Sequence, residues 1–487
     1  MSSDLSSLDP IPALVSMIRA QSPEGIAAAP LRFSRAPGRL DVMGGIVEYT
    51  GSLVCQLPLD CAVAAALQQR EDRLFKVFSY NLVEEAKPAA YQISLDDLAI
   101  DTADSLRNAL ANSPNKWAAN IVGCMFVLHE QRLIDLHDPR IKGINLAIYS
   151  TIPAGAGLGS SAAMQVAAVM LLRDHFRLNE PSTTNAGAFD AIRVAELCQS
   201  AQSRIAGTQC GIAAHLTSCL GEQGKLLRII CKPHDLQPPL AIPDGMRFIG
   251  IGSGVRRDTG ARAAYTRTRC ATFMGHKIIL DQMRRMGEAA GRQLIADPLR
   301  GYLANLDPDD YKRLFRPRIP QQMSGLEFME KYGDSLTHID PSVIYEIQHA
   351  TDHHILEARR VRNFAGYLQQ ASASPGPRAK GGALDRAGHL MYASHLSYTM
   401  DAMLGSPQCD LLVQLARARE RQGIYGARIT AAGSGGTVAI LADCSPVSDD
   451  AIEQIMQEYQ KQTGRMPQAF TSGSAGARHA GTVAGLA

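Results

Sequence analysis

The segment Pro153-Ala-Gly-Ala-Gly-Leu-Gly-Ser-Ser-Ala-Ala163 carries the clearest chemistry in the chain. It stands between a strand-like run, Gly143 to Ser150 (GINLAIYS), and a helical stripe made by Ala163, Val166, Ala167, Met170 and Leu171. A glycine-rich turn between a strand and a helix brings backbone N–H groups together around an anion. Gly155, Gly157 and Gly159 remove the side chains that would hold phosphate oxygens away from the backbone. Ser160 and Ser161 can cap the helix, hydrogen-bond a phosphate, or ligate magnesium through a hydroxyl. No Lys follows the glycines, so this is not the P-loop pattern. Nor does it stand at the start of the chain, where dinucleotide-binding folds usually carry their glycines. A plain serine-capped glycine turn is the alternative.

The elements that must position this loop follow from periodicity. Leu53 to Leu67 is rich in Val, Leu, Cys and Ala, which suits buried strands, and Phe75 to Tyr80 alternates as a half-exposed strand does. Arg32 to Ser34 leads into an expected turn at Ala36-Pro37-Gly38. Lys116 to His129, Ala162 to Phe176 and Ala191 to Ile205 have helical spacing. Met246 to Gly252 reads as a strand, and Arg262 to Arg284 as a long helix. Leu411 to Arg419 is helical, and Ala427 to Ala442 (ARITAAGSGGTVAILA) reads strand, glycine turn, strand. The stretch of about 297–386 carries many Pro, Asp and Arg residues and is expected to be a helical insertion, with Ser372 to Ala383 as its mobile turn. Residues after Ser472 are small and polar and are expected to fray. The expected organisation is α+β, with an N-terminal extension over 1–30, one domain over 31–224 and a second over 225–487.

Bulk properties narrow the function classes. A chain of 487 residues exceeds one ordinary core, so two domains are expected. Hydrophobic residues at 46% and charged residues at 20% fit a soluble globular protein. A net charge of +2 provides no general field towards nucleic acid or an anionic membrane, so any anion site is local. The ten cysteines are scattered without a CxxC pair, which argues against a disulfide scaffold or a zinc cage and for a reducing compartment. The N-terminus has no basic-then-apolar leader and no run reaches the length of a membrane span. The cytoplasm is therefore the expected compartment.

Three ordered segments resemble the GHMP kinases, the family of galactokinase and of homoserine, mevalonate and phosphomevalonate kinases. PAGAGLGSSAA resembles the family's second motif. Ala36 to Val54 (APGRLDVMGGIVEYTGSLV) resembles the sugar-kinase signature, and Ile429 to Ile440 (ITAAGSGGTVAI) the C-terminal glycine motif. Within the family the first motif looks more like the arabinokinase branch than the galactokinase one, which reads GEH where this chain has Gly44-Gly45-Ile46. The likeness covers about Leu31 to Leu441.

The resemblance implies a ribosomal-S5-like N-terminal domain, a ferredoxin-like C-terminal domain, and ATP with Mg2+ in the cleft between them. It implies transfer of the γ-phosphate to a monosaccharide, at the anomeric hydroxyl. ATP would lie on Pro153, Gly155, Ala156, Gly157, Leu158, Gly159, Ser160, Ser161 and Ala162. Arg39 matches the arginine that stabilises the moving charge. Glu48 falls where sugar kinases have an Asp holding two hydroxyls, and Tyr49 follows as in the family. Tyr265 matches a sugar-contacting tyrosine, with a core tyrosine as the alternative. Gly435, within Gly433-Ser434-Gly435-Gly436, would let the backbone close over the sugar.

Two matched positions depart. Gln202 stands where the family has the glutamate that ligates magnesium, and Ala214 where it has the catalytic aspartate; Ser161 is the other metal candidate. An amide oxygen contributes no charge to a cation site, and Ala accepts no proton. His215 is a substitute base one position along, which a regular helix turns by roughly 100°. A catalytically impaired protein that still binds nucleotide or sugar, and deliberate substitution, are the competing readings. Trp117 and His395 read as structural.

Overall fold

Residue pattern explains the larger sheet of this computed structural model, which describes residues 9–20, 30–180, 189–291, 296–333, 336–374, 376–471 and 473–486. Its strands are β1 (Pro30–Met43), β2 (Leu53–Gln69), β3 (Leu74–Ser79), β4 (Ala90–Ser94), β5 (Ile144–Ser150), β6 (Lys225–Ile230) and β7 (Asp235–Ala241). The eighth is the C-terminal strand Thr482–Leu486, and the order runs from it through β1, β2, β5 and β3 to β4, with β6 on β2 and β7 on β6. β3 and β5 are parallel. β2 buries almost every side chain, as its high content of Val, Leu, Cys and Ala suits.

The expected turn at Ala36-Pro37-Gly38 lies inside one 14-residue strand. Proline lacks a ladder donor, and β1 accommodates it with a register shift against β2 between Pro37 and Arg39 and another between Asp41 and Met43. These shifts fall beside Arg39 and Asp41. The tail expected to fray instead pairs with β1 from Thr482 opposite Ser34 to Leu486 opposite Pro30.

Ser160–His175 and Ala213–Leu220 pack directly on this sheet, with Ala119–Glu130 and Ala191–Arg204 stacked on those helices, and Pro10–Ala20 lies against β1, β2 and β5. Ser160–His175 is buried from Ala162 to Leu172 apart from Met164, its small residues allowing close approach to β1 and β2.

The second sheet orders its strands Ile424–Ile429, Thr437–Asp443, Met246–Gly252 and Gln468–Phe470, all antiparallel. Pro377–Met400 and Pro407–Arg417 cover it, and Ile347–Ala373 packs between Pro377–Met400 and Thr259–Ala289. The stretch of about 297–386 divides in two. Leu299 to Ile355 forms its own apolar cluster with Cys270 to Ile279, whereas Val361, Phe364, Ala365 and Leu368 join the main core. The segment expected as a mobile turn is mostly helix, since Pro377 pre-sets the first turn of Pro377–Met400.

Candidate active site

The glycine loop is built from backbone geometry. Gly155, Gly157 and Gly159 have φ of +74°, +78° and +78°, a region that favours glycine. Its carbonyls are tied from three directions. Arg39 donates from its backbone N to Leu158 O (2.8 Å) and from Nη1 to Gly157 O (2.6 Å). Thr437 Oγ1 donates to Ala156 O at 2.9 Å, and Arg257 N to Gly155 O at 3.2 Å. With the carbonyls held behind, the first turn of helix Ser160–His175 opens on a cavity lined by Ser160, Ser161 and Ala162. First-turn N–H groups have no intrahelical partner and favour an anion.

That cavity holds about 410 Å³, within the range of small-molecule sites. Both lobes line it: Arg39, Asp41 and Glu48 from the first, Arg257, Arg262, Tyr265 and Ala431 from the second. Of the residues expected from sequence, it brings together Arg39, Glu48, Gly155, Gly157, Gly159, Ser160, Ser161, Ala162, Gln202, Ala214, His215 and Tyr265. Pro153, Ala156, Leu158, Tyr49 and Gly435 do not line it. Ala156 and Leu158 act through the carbonyls just described. Tyr49 packs behind the wall, edge-on to Tyr265 at 6.1 Å and beside His354 at 4.9 Å between ring centres. Gly435 lies under the cleft with φ of +105°, where a Cβ would stand 3.2 Å from Val255 Cγ1.

Glu48 sits on the short 3-10 turn Gly45–Thr50, which Gly44 (φ +113°) and Gly45 (φ +58°) introduce. Its Oε1 accepts from Gly211 N at 3.2 Å. Gly211 leaves room for the carboxylate, because a Cβ would stand 2.2 Å from Glu48 Cδ and push it aside. Burial raises the Glu48 carboxyl to about 7, although the Arg39 guanidinium opposes the shift.

His215 does not behave as a base. Its Nε2 lies 2.9 Å from Gln165 Oε1, an acceptor, so Nε2 carries the proton. Burial, then Arg39, lowers its pKa to about 3, and so weak a base takes up little proton near neutrality. Ala214 places a methyl group in the cavity wall, near the Arg39–Gly159 contact.

Gln202 Oε1 is buried without a hydrogen-bond donor, an orphaned acceptor that a cation would satisfy. Among the described residues no group of three His, Cys, Asp or Glu side chains could hold a metal. Gln202 and Ser161 therefore fit a cation held chiefly by a ligand's own phosphate oxygens, as Mg2+ is often bound.

Sequence reasoning passed over Asp41, although it lies in the same GRLD run. Its Oδ1 accepts from Gly45 N (3.1 Å) and from Nη1 of Arg428 (3.2 Å), which is wholly buried. Arg428 stacks 5.1 Å from the Tyr398 ring. The Tyr398 hydroxyl accepts from Ile46 N at 2.9 Å and donates to Ala431 O at 2.8 Å, joining the lobes under the cavity. Nothing in the local spelling of Arg428 marks this partner 387 residues away. His395 is structural as expected, with Nδ1 accepting from Ile429 N at 3.3 Å and Nε2 facing Asp410. Trp117 Nε1 donates to Pro88 O.

A glycine loop clamped between two α+β lobes over a shared cleft defines the class: a two-lobed kinase fold. Residues 120–222 match the family described as GHMP kinases N terminal domain, and residues 377–462 match GHMP kinases C terminal. The chain belongs to the GHMP kinase family. It is 32% identical to L-arabinokinase of Arabidopsis thaliana over 91% of this chain, and spans 46% of that protein's length. It is 28% identical to a galactokinase of Chloroflexus aggregans over 91% of this chain and 93% of the other. In fold it matches Lactococcus lactis galactokinase complexed with galactose, with a TM-score of 0.68 at 18% identity, over 96% of this chain and 98% of that one. Methanococcus jannaschii mevalonate kinase follows with 0.54 at 12% identity, over 93% and 100%.

Proposed function

We propose that this chain transfers the γ-phosphoryl group of ATP to a monosaccharide, at its anomeric hydroxyl. The observation that supports this most is one cavity in which the glycine-loop helix start, the Arg39 guanidinium and the Glu48 carboxylate meet. Phosphoryl transfer depends mainly on positioning and charge neutralisation, and this cavity has groups for both. The loop amides would hold the phosphates. Arg39, braced by Gly157 and Leu158, would face the charge that develops between donor and acceptor. Glu48 and Tyr265 would hold the sugar. Ser161 and Gln202 would hold Mg2+, which when bound neutralises phosphate charge. The chain's relatives include proteins named L-arabinokinase and galactokinase, which supports a sugar as acceptor. Ten cysteines, all free, fit the cytoplasm.

Thermal melting with Mg2+-ATP, then with a panel of free sugars, tests the binding half, since a ligand at 100 times its Kd adds roughly 2.7 kcal/mol of stability. Phosphate transfer to the same panel tests the chemistry. No melting shift with ATP overturns the proposal. A shift without transfer leaves a nucleotide-binding protein that has lost its chemistry through Ala214 and Gln202.

A further inference from the structure

The cavity wall raises the question of which group receives the proton released when a sugar hydroxyl is phosphorylated. Asp41, Glu48, His215, Cys210 and Tyr265 are the lining side chains with an ionisable oxygen, nitrogen or sulfur that could serve. Asp41 Oδ1 already accepts from Gly45 N and Arg428. His215 is a weak base with its Nε2 proton engaged by Gln165. Burial pushes the Cys210 thiol up to about 12 and raises the Tyr265 phenol, so both hold their own protons at neutral pH. Ala214 offers nothing.

Glu48 is different in geometry as well as chemistry. Its carboxylate is set beside the start of helix Ala213–Leu220, the helix that carries Ala214, by the Gly211 N–H at 3.2 Å. The missing side chain at Gly211 is what admits it, since a Cβ would lie 2.5 Å from both Glu48 oxygens. It faces the same cavity as Arg39 and the glycine loop.

We propose that Glu48 is the catalytic base of the transfer, taking the acceptor hydroxyl's proton in the wall beside Ala214. The inference rests on the sugar-kinase reading above. In the step, the sugar oxygen forms its bond to the γ-phosphorus while the bond from that phosphorus to the β–γ bridging oxygen breaks. The electron pair leaves with ADP, and the hydroxyl proton passes to Glu48 and then to solvent. The groups facing Glu48 are Arg39 and Asp41 on β1, Cys210 in the loop before the helix, Tyr265 on Thr259–Ala289, and Cys231 after β6. Of these, Arg39 favours its ionised form and Asp41 opposes it. A base with a pKa near the working pH is well matched to its task.

The experiment measures kcat and KM for transfer from pH 5 to 9 in the wild type, in Glu48→Gln, and in Glu48→Gln combined with Ala214→Asp, with the ATP-dependent melting shift measured for each. Wild-type kcat should rise about tenfold per pH unit below the Glu48 pKa and level off above it. Glu48→Gln should lower kcat by roughly 10²–10⁴-fold, abolish that limb and keep the melting shift; adding Ala214→Asp should restore part of kcat with a limb moved to lower pH. If Glu48→Gln keeps the wild-type limb, or raises only the sugar KM, Glu48 is a sugar-holding residue and the inference falls alone. If the wild type melts higher with ATP yet transfers to no sugar, the sugar-kinase reading falls and takes this one with it.

Discussion

The two walls of the cavity are made in different ways. The wall we propose for the phosphates is backbone: three glycines with positive φ, a helix start, and carbonyls anchored by Arg39, Thr437 and Arg257. The wall we propose for the acceptor is side chains: Glu48, Gln202, Ala214, His215 and Tyr265. A backbone cradle depends on conformation and tolerates change only where glycine is not required. A side-chain wall can be altered one group at a time without disturbing the fold, and Ala214 and Gln202 stand in such a wall. The contrast explains how a chain can keep a loop built from backbone while the side chains opposite it vary.

Arg39 both braces the glycine loop and lines the cavity, so its loss should have the largest effect. Arg39→Ala removes the Gly157 brace and the cation together, and transfer should fall by about 10³-fold or more. The ATP-dependent melting shift should shrink at the same time. A variant with an intact shift and near-normal transfer would separate the loop from the chemistry.

Gly211→Ala attacks the acceptor wall only. Its Cβ would displace the Glu48 carboxylate, and a displacement of that kind should cost roughly 10²-fold in kcat/KM for the sugar. The ATP melting shift should survive. Loss of both would mean that the two walls are not independent.

Adding carboxylates should move the acceptor wall the other way. Ala214→Asp with Gln202→Glu is expected to raise transfer by about tenfold or more and to tighten its Mg2+ dependence. If the parent already turns over well and the double variant gains nothing, the existing wall is complete as it stands.

The smallest effect concerns stability. His215 has a folded pKa lowered to about 3 from an ordinary 6.5, so its contribution is fully present above 6.5 and is lost as pH falls towards 3. His353 and His354 are buried and shifted the same way, so acid should lower the melting temperature cooperatively. His215→Gln keeps a polar partner for Gln165 and cannot titrate; its melting temperature should fall by a few degrees less between pH 7 and pH 4. An equal fall would assign the acid sensitivity to the other histidines that burial shifts downward, His175, His276, His353 and His354.

Much of the molecule was legible in one dimension. The strand–glycine loop–helix unit could be read directly because its signals are local: strand alternation, turn residues and helical spacing. The β1 bulge was misread as a turn because Pro37 and Gly38 spell both, and pairing with β2 decides between them. The frayed tail was misread for a related reason. Thr482–Leu486 is a weak strand former that becomes a strand because β1 offers an open edge.

The sequence by itself determined the family, the α+β organisation and the strand–glycine loop–helix unit, because each rests on neighbouring residues whose conformation is set locally. Tertiary structure decided everything that depends on what surrounds a group. It placed Glu48 against the Gly211 amide and raised its pKa, and it buried His215 beside Arg39, which makes it a poor base. It turned Tyr49 away from the cavity and joined Asp41 to Arg428 across the chain. Desolvation and hydrogen bonding act through space, and a residue's type does not state which atoms will surround it.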